Sequence, residues 1–376
     1  MQLSVIILNY NVSNFLALCL ESVELAIKNL DAEIIVVDNN SPDDSCEMVK
    51  IKFPTVQLIA NKENVGFAKA NNQAVKLAKG KYVCILNPDT VVSETTFENC
   101  IIKANSLSNL GMLGVQLLNG KGVFLPESKR NLPTPKVSLF KVFGERFSNI
   151  AHYYATRIAK DKEGEVSILV GAFMFLEKKK YLEAEGFDER YFMYGEDIDF
   201  SYALEQIGYK NYYYGSEKII HFKGESSFKD KEYRKRFFGA MRLFYKKHFQ
   251  SSFVMNGIVF SGIKLASFLK STSKLKSELS FSKALIISEN KEAINKLKLK
   301  INVASKVISA EAMYDQKLPK NPVVCFLDLN MITYGNAIEI INYFEQSNFY
   351  FRFLPKSSQF AIGSDTSDGL GIVISY

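Results

Sequence analysis

Short apolar runs recur along the N-terminal part of the chain, at Leu3 to Leu8, Glu33 to Asp38, Val56 to Ala60, Tyr82 to Leu86 and Met112 to Gln116. Stretches of helical periodicity separate them, and this alternation predicts an α/β fold with a mostly parallel sheet flanked by helices. Ligands of such sheets sit beyond the carboxyl ends of the strands. The residues at those positions are polar: Asn9 and Tyr10, Asp38 to Ser41, Asn61 to Asn64, and Asn87 to Asp89. From Asn119 to Lys162 the pattern loosens around Pro126, Pro133 and Pro135, which predicts a flexible loop over the site. A strand at Ser167 to Leu176, a helix closed by Gly208 and a strand leading to His221 follow.

Residues Phe253 to Leu269 are apolar but interrupted by Asn256, Ser261, Lys264 and Ser267, so the run is too short and too polar to span a membrane. A surface-lying amphipathic helix and a helix packed on the protein's own core fit it equally well. After the Ser/Lys-rich STSKLKSELS, alternation resumes with KALIISEN, VVCFLDLN, a helix near Ala337 to Glu345, and FYFRFLP. The expected organisation is a larger α/β domain over 1–250, an amphipathic segment and linker over 251–280, and a small α/β domain of unassigned role over 281–376.

Composition narrows the function classes. Five scattered cysteines without a CxxC pair indicate neither a disulfide framework nor a zinc site, and so a reducing compartment. The first residues lack a basic n-region and a long apolar h-region, so a cytoplasmic location is expected. A net charge of +7 favours anionic partners. No nucleic-acid module accompanies it, and the basic residues gather in short helical stretches such as Lys229 to Lys247, so nucleic acid is not an expected partner. That basic stretch and the apolar run after it fit peripheral contact with the inner face of the plasma membrane.

Four motifs then occur in order: SVIILNYN, EIIVVDNNSPDDS, NKENVGFAKANNQAVKLAKGKYVCILNPDT and GFDERYFMYGEDIDFSYALEQIGYK. Together they resemble family 2 glycosyltransferases, particularly the rhamnosyltransferase-like branch, over about residues 1–250. The resemblance implies a GT-A nucleotide-diphospho-sugar transferase fold, a divalent cation and single displacement with inversion. It implies a dTDP-, UDP- or GDP-sugar donor, dTDP-rhamnose being modestly favoured, and a lipid-linked or glycan acceptor in bacterial surface polysaccharide synthesis.

The residues carry these roles as follows. Asn9 and Tyr10 end the first strand, and Asp38 ends the second, where a carboxylate accepts a hydrogen bond from a pyrimidine imide; an Asx turn is the alternative. Asn61, Asn64 and Gly66 precede a helix N-terminus suited to phosphate or ribose, and Asn71 either points into the same pocket or holds the helix to the next loop. Asn87 and Asp89 stand at the position of the family's D-x-D motif with its first acid replaced, which leaves Asp89 as the main contact of Mn²⁺ or Mg²⁺. His221 matches the histidine that completes this site in related transferases, against a purely structural histidine. In GEDID, Asp197 is the first choice and Glu196 the second for the general base, with Asp199 binding the acceptor or orienting the base; acids serving only the helix dipole are the alternative.

The same residues admit two rival functions. A nucleotidyltransferase calls for a glycine-rich turn after the first strand, which SVIILNYNVSN lacks. A non-catalytic carbohydrate-binding or scaffolding protein with a decayed site is motivated by Asn87.

Overall fold

The computed structural model describes residues 1–134, 153–224, 231–249, 280–356, 359–366 and 369–376. The amphipathic segment expected at Phe253 to Leu269, its linker and the start of the basic stretch at Lys229 lie outside the described residues.

The first unit alternates β1 (Leu3–Asn9), α1 (Ser13–Ala26), β2 (Ala32–Asp38), α2 (Ser45–Lys52), β3 (Gln57–Ala60), α3 (Phe67–Leu77) and β4 (Tyr82–Leu86). All four strands are parallel, in the order β3-β2-β1-β4. Every residue of β4 is buried, because helices cover both faces and a strand in that position has no solvent side to make polar. The chain winds outwards from β1 in both directions, so the crevice at the carboxyl ends of β1 and β4 is the sheet's switch point, where Asn9, Asp38 and Asn87 stand.

The chain continues through β5 (Thr90–Val91), α4 (Thr96–Ser106), β6 (Leu110–Leu118), β7 (Lys129–Arg130), β8 (Glu163–Glu165), β9 (Ile168–Leu169), β10 (Phe173–Glu177), α5 (Lys178–Glu183), α6 (Glu196–Gln206), β11 (Lys210–His221) and α7 (Lys231–His248), of which β7 and β9 form a separate two-stranded sheet. Antiparallel β10 lies between β4 and β6, and its start, Phe173, sits opposite Leu86 at the switch point. Strand β11 runs parallel to β6 and at its end pairs antiparallel with β5, setting His221 opposite Thr90.

Two expectations are corrected. The predicted flexible loop is built into the fold at 119–134 and 153–162; residues 135–152 lie outside the described ones. Pro126 opens a 3-10 helix, Ser128, Lys129 and Arg130 are buried, and β7 pairs with β9. The Lys129 ammonium fixes the returning chain by donating to the carbonyls of Ala155 at 2.9 Å and Ile158 at 2.6 Å. The strand predicted over Ser167 to Leu176 is two pieces, β9 and β10, separated at Gly171.

The second unit comprises β12 (Lys283–Ile287), α8 (Lys291–Lys300), β13 (Ser305–Val307), α9 (Ala310–Tyr314), β14 (Val323–Asp328), α10 (Tyr334–Tyr343), β15 (Phe349–Leu354), β16 (Phe360–Gly363) and β17 (Ile372–Ser375). Its six strands are ordered β13-β12-β14-β15-β16-β17, with β16 and β17 antiparallel. One apolar cluster runs through both units, and the rings of Phe15, Phe222 and Phe353 meet across the junction. The Glu94 carboxylate accepts from the first two amides of α10, Tyr334 at 2.7 Å and Gly335 at 3.0 Å, so one unit caps a helix of the other. Among the described residues no helix is long and apolar enough to cross a membrane.

Candidate active site

At the end of β1 and β2, Asp38 is an Asx-turn residue. Its Oδ1 accepts from Asn9 Nδ2 at 2.7 Å and Ser41 Oγ at 2.6 Å, while Oδ2 accepts from the Ser41 amide at 2.8 Å. These bonds leave Asn9 Oδ1 as a buried acceptor without a partner. The unpartnered oxygen at this strand end is thus Asn9 Oδ1, whose amide Asp38 orients. Tyr10, next along, is exposed.

The loop after β3 is tied by amides. Asn61 donates to Asn39 at 2.9 Å, Asn39 donates to Asn64 and to the Gly66 carbonyl at 3.2 Å each, and Asn64 accepts from the Gly66 amide at 3.0 Å. Gly66 has φ of +86° and lies so close to the 187–195 turn that a Cβ would stand 2.5 Å from the Phe192 carbonyl, so only glycine fits. The Phe67 amide donates to that same carbonyl at 2.7 Å. At the start of α3 the Gly66 and Phe67 amides thus already have protein acceptors. Asn71 donates to the Phe67 carbonyl at 2.9 Å, and its Oδ1 is buried without a partner. Asn72, which the sequence did not single out, is the brace to the neighbouring loop, donating to the Phe187 carbonyl at 2.8 Å and accepting from the Phe187 amide at 3.0 Å.

Past β4 the chain turns at Asn87 to Asp89, and the β5–β11 pairing brings His221 onto it. His221 Nε2 lies 3.4 Å from Asp89 Oδ1 and 3.4 Å from Asn87 Nδ2. Asp89 and His221 are buried, and His221 Nδ1 has no partner. Asn87 carries an amide oxygen beside the Nδ2 that faces His221. Among the described residues no three His, Cys, Asp or Glu side chains converge on one point. The donor set, one carboxylate, one imidazole and one amide, fits the chemistry of a small divalent cation, which would need further ligands from a bound molecule.

The second cluster stands beside Gly171, adjoining Ala172, whose carbonyl accepts from the Asn87 amide at 3.0 Å. Asp197 Oδ2 accepts from Arg130 Nη2 at 2.6 Å and the Gly171 amide at 3.2 Å, and Oδ1 from the Ile198 amide at 2.8 Å. Burial pulls the Arg130 pKa down, but the Asp197 charge outweighs it and holds the guanidinium above its ordinary value. Glu196 is buried with Oε2 unpartnered; burial first, and then the Asp197 charge, push its pKa up to about 8. Asp199 turns away from this cluster. It accepts from Lys247 at 2.7 Å, pairs with His248 at 2.6 Å and accepts from Tyr191 at 3.2 Å, so it docks α7 instead of facing an acceptor.

The model of the family described as "Glycosyl transferase family 2" matches residues 4–182, the span that carries Asn9, Asp38, Asn87 and Asp89. The chain carries a glycosyl transferase family 2 domain. The protein is accordingly a glycosyltransferase, and its mostly parallel sheet flanked by helices is the GT-A fold that the motifs implied. It is 24% identical over 241 residues to the N-acetylglucosaminyl-diphospho-decaprenol L-rhamnosyltransferase of Mycobacterium tuberculosis, covering 61% of this chain and 78% of that one. It is 30% identical over 196 residues to the minor teichoic acid biosynthesis protein GgaB of Bacillus subtilis, covering 47% of this chain and 21% of that one. Among solved structures, a Pyrobaculum calidifontis mannosyltransferase in complex with GDP-Man and Mn²⁺ aligns at 17% identity with a TM-score of 0.47, covering 72% of this glycosyltransferase and 76% of that chain.

Proposed function

We propose that this glycosyltransferase moves a sugar, with inversion, from a nucleotide diphosphate donor to a lipid-linked acceptor. The observation that carries the proposal is the meeting of Asp89, His221 and Asn87 at the switch point, 3.4 Å apart across two chain segments. Asp89 and His221 would hold Mn²⁺ or Mg²⁺ there. The cation, when bound, neutralises the charge that grows on the departing diphosphate. Asn9 and Asp38 hold the base, and the Asn39–Asn61–Asn64 network keeps the loop around the donor in place. Asp197 takes the proton of the acceptor hydroxyl as its oxygen bonds to the anomeric carbon, while the sugar–diphosphate bond breaks and its electron pair leaves with the nucleoside diphosphate.

The relative that acts on N-acetylglucosaminyl-diphospho-decaprenol makes a nucleotide rhamnose the first donor to test and a prenyl-diphosphate-linked sugar the first acceptor. The setting proposed is the cytoplasmic face of the membrane, with α7, whose Lys235, Arg236 and Lys246 are exposed, lying against anionic headgroups. A screen of dTDP-rhamnose, UDP- and GDP-sugars with a short-chain prenyl-diphospho-N-acetylglucosamine tests the chemistry. Product that requires Mn²⁺ or Mg²⁺ and vanishes in Asp89→Ala supports it. Full activity in chelator overturns the cation site. Sedimentation with phosphatidylglycerol vesicles tests the membrane contact, which fails if no protein pellets at low salt.

A further inference from the structure

Arg130 enters the site from a segment with no sequence relation to the acidic motif, 67 residues before Asp197. Both partners are nearly dry, with side-chain exposures of 9% for Arg130 and 13% for Asp197. Such a pair is a poor device for stability, since stripping two ions of water costs about as much as their attraction returns, and apolar residues of the same size do as well or better. The geometry is nonetheless tightly specified. One guanidinium nitrogen donates to Asp197 at 2.6 Å and to the Leu169 carbonyl at 3.0 Å. The amides of Gly171 and Ile198 fix the carboxylate from two further directions, so its plane is set before any acceptor arrives. The segment that delivers Arg130 is anchored at its other end by Glu127, which pairs with Lys223, two residues beyond His221. A single short piece of chain therefore spans from the histidine end of the site to the acidic end.

We propose that Arg130 is a positioning residue of the transfer reaction, holding the Asp197 carboxylate in the orientation from which it receives the acceptor's proton. The inference rests on Asp197 being the base and deepens that reading. Arg130 acts through Asp197 and not through the donor, so its loss lowers kcat and leaves donor binding alone.

The test uses the full chain, Mn²⁺, dTDP-rhamnose or whichever nucleotide sugar the screen selects, and the prenyl-diphosphate-linked acceptor. In Arg130→Ala, kcat falls about a hundredfold, the scale of a slightly misplaced catalytic group, while donor KM and the Mn²⁺ requirement stay within about threefold. Added guanidinium restores part of that kcat by refilling the vacated place. Arg130→Lys recovers little, because one ammonium does not reproduce the planar fork. Should Arg130→Ala fail to fold, Arg130→Lys decides: reduced kcat with unchanged donor KM supports the proposal, and wild-type kcat overturns it. Parallel loss of kcat and donor binding, without guanidinium rescue, also overturns it and makes Arg130 a structural ion. Asp197→Asn separates the two levels. Wild-type kcat in that variant removes Asp197 as the base, whereas an inactive Asp197→Asn beside fully active Arg130 variants removes the Arg130 inference alone.

Discussion

The two acidic clusters of the site are built on opposite terms. At the Asp89 end the polar groups are left short of partners: His221 Nδ1 is unbonded, and Nε2 has only 3.4 Å neighbours. At the Asp197 end the carboxylate is held from three sides, by a guanidinium and an amide on Oδ2 and one amide on Oδ1, which leaves Oδ1 room for one more donor. The first end is built to be completed by what binds, and the second carries its own counter-charge in the fold. Removing a residue from the first should therefore cost activity and little stability, whereas removing one from the second should cost both.

The largest expected effect is on Asp89→Ala. Loss of the cation's carboxylate should lower transfer by about a thousandfold, since cation stabilisation of a leaving group amounts to several kcal/mol. The thermal midpoint should hold or rise; a collapse of folding would show that Asp89 is structural. Asp197→Ala breaks the symmetry. It strands Arg130 without its partner, and urea denaturation should record a loss of about 3–5 kcal/mol, the usual penalty for halving a buried pair. A loss below about 1 kcal/mol would put solvent at Arg130 and dissolve the contrast. His221→Ala should weaken Mn²⁺ binding by about 10- to 100-fold, by titration calorimetry in the presence of donor, with stability unchanged.

The smallest effect is a pH dependence at Glu196. Its carboxyl, ordinarily near 4.5, is pushed up to about 8 in the folded chain, first by burial and then by the Asp197 charge. Between those values the unfolded chain has released the proton and the folded chain keeps it, so stability falls as pH rises through this window and levels off above it. Glu196→Gln has no such proton to keep. It should match wild type at pH 4 and melt higher at pH 8.5, where wild type has lost the stability that its retained proton supplied. Equal midpoints at both pH values would place Glu196 in water.

Much of the scaffold was legible in the sequence because parallel strands buried on both faces are written as continuous apolar runs, as in YVCIL of β4. The polar residues beyond those runs led to Asn9, Asp38 and Asn87. What escaped depends on long-range register. No local pattern says that Thr90 faces His221, or that a guanidinium in PESKR crosses to the GEDID helix. The prolines around that segment read as looseness, yet Pro126 starts a 3-10 turn whose job is to aim Arg130 inwards. Asp199 was expected to bind the acceptor or orient the base, and no local pattern says that the packing of α7 engages it instead with Lys247 and His248.

The helix cap that Glu94 provides to α10 sets a clock on biosynthesis. The carboxylate and the Tyr334 amide it receives are separated by 240 residues. At common translation rates of about 5–20 residues per second, roughly ten to fifty seconds pass between their appearances at the ribosome. In the later part of that interval, once β11 and Phe222 have been made, the transferase unit has its strands but not its cover, and the apolar ground around Phe15 and Phe222 is open to any other nascent chain. Production of active protein should then track how quickly the second half follows the first, so that slow codons between the two units would trap chains in aggregates before Phe353 ever reaches its seat.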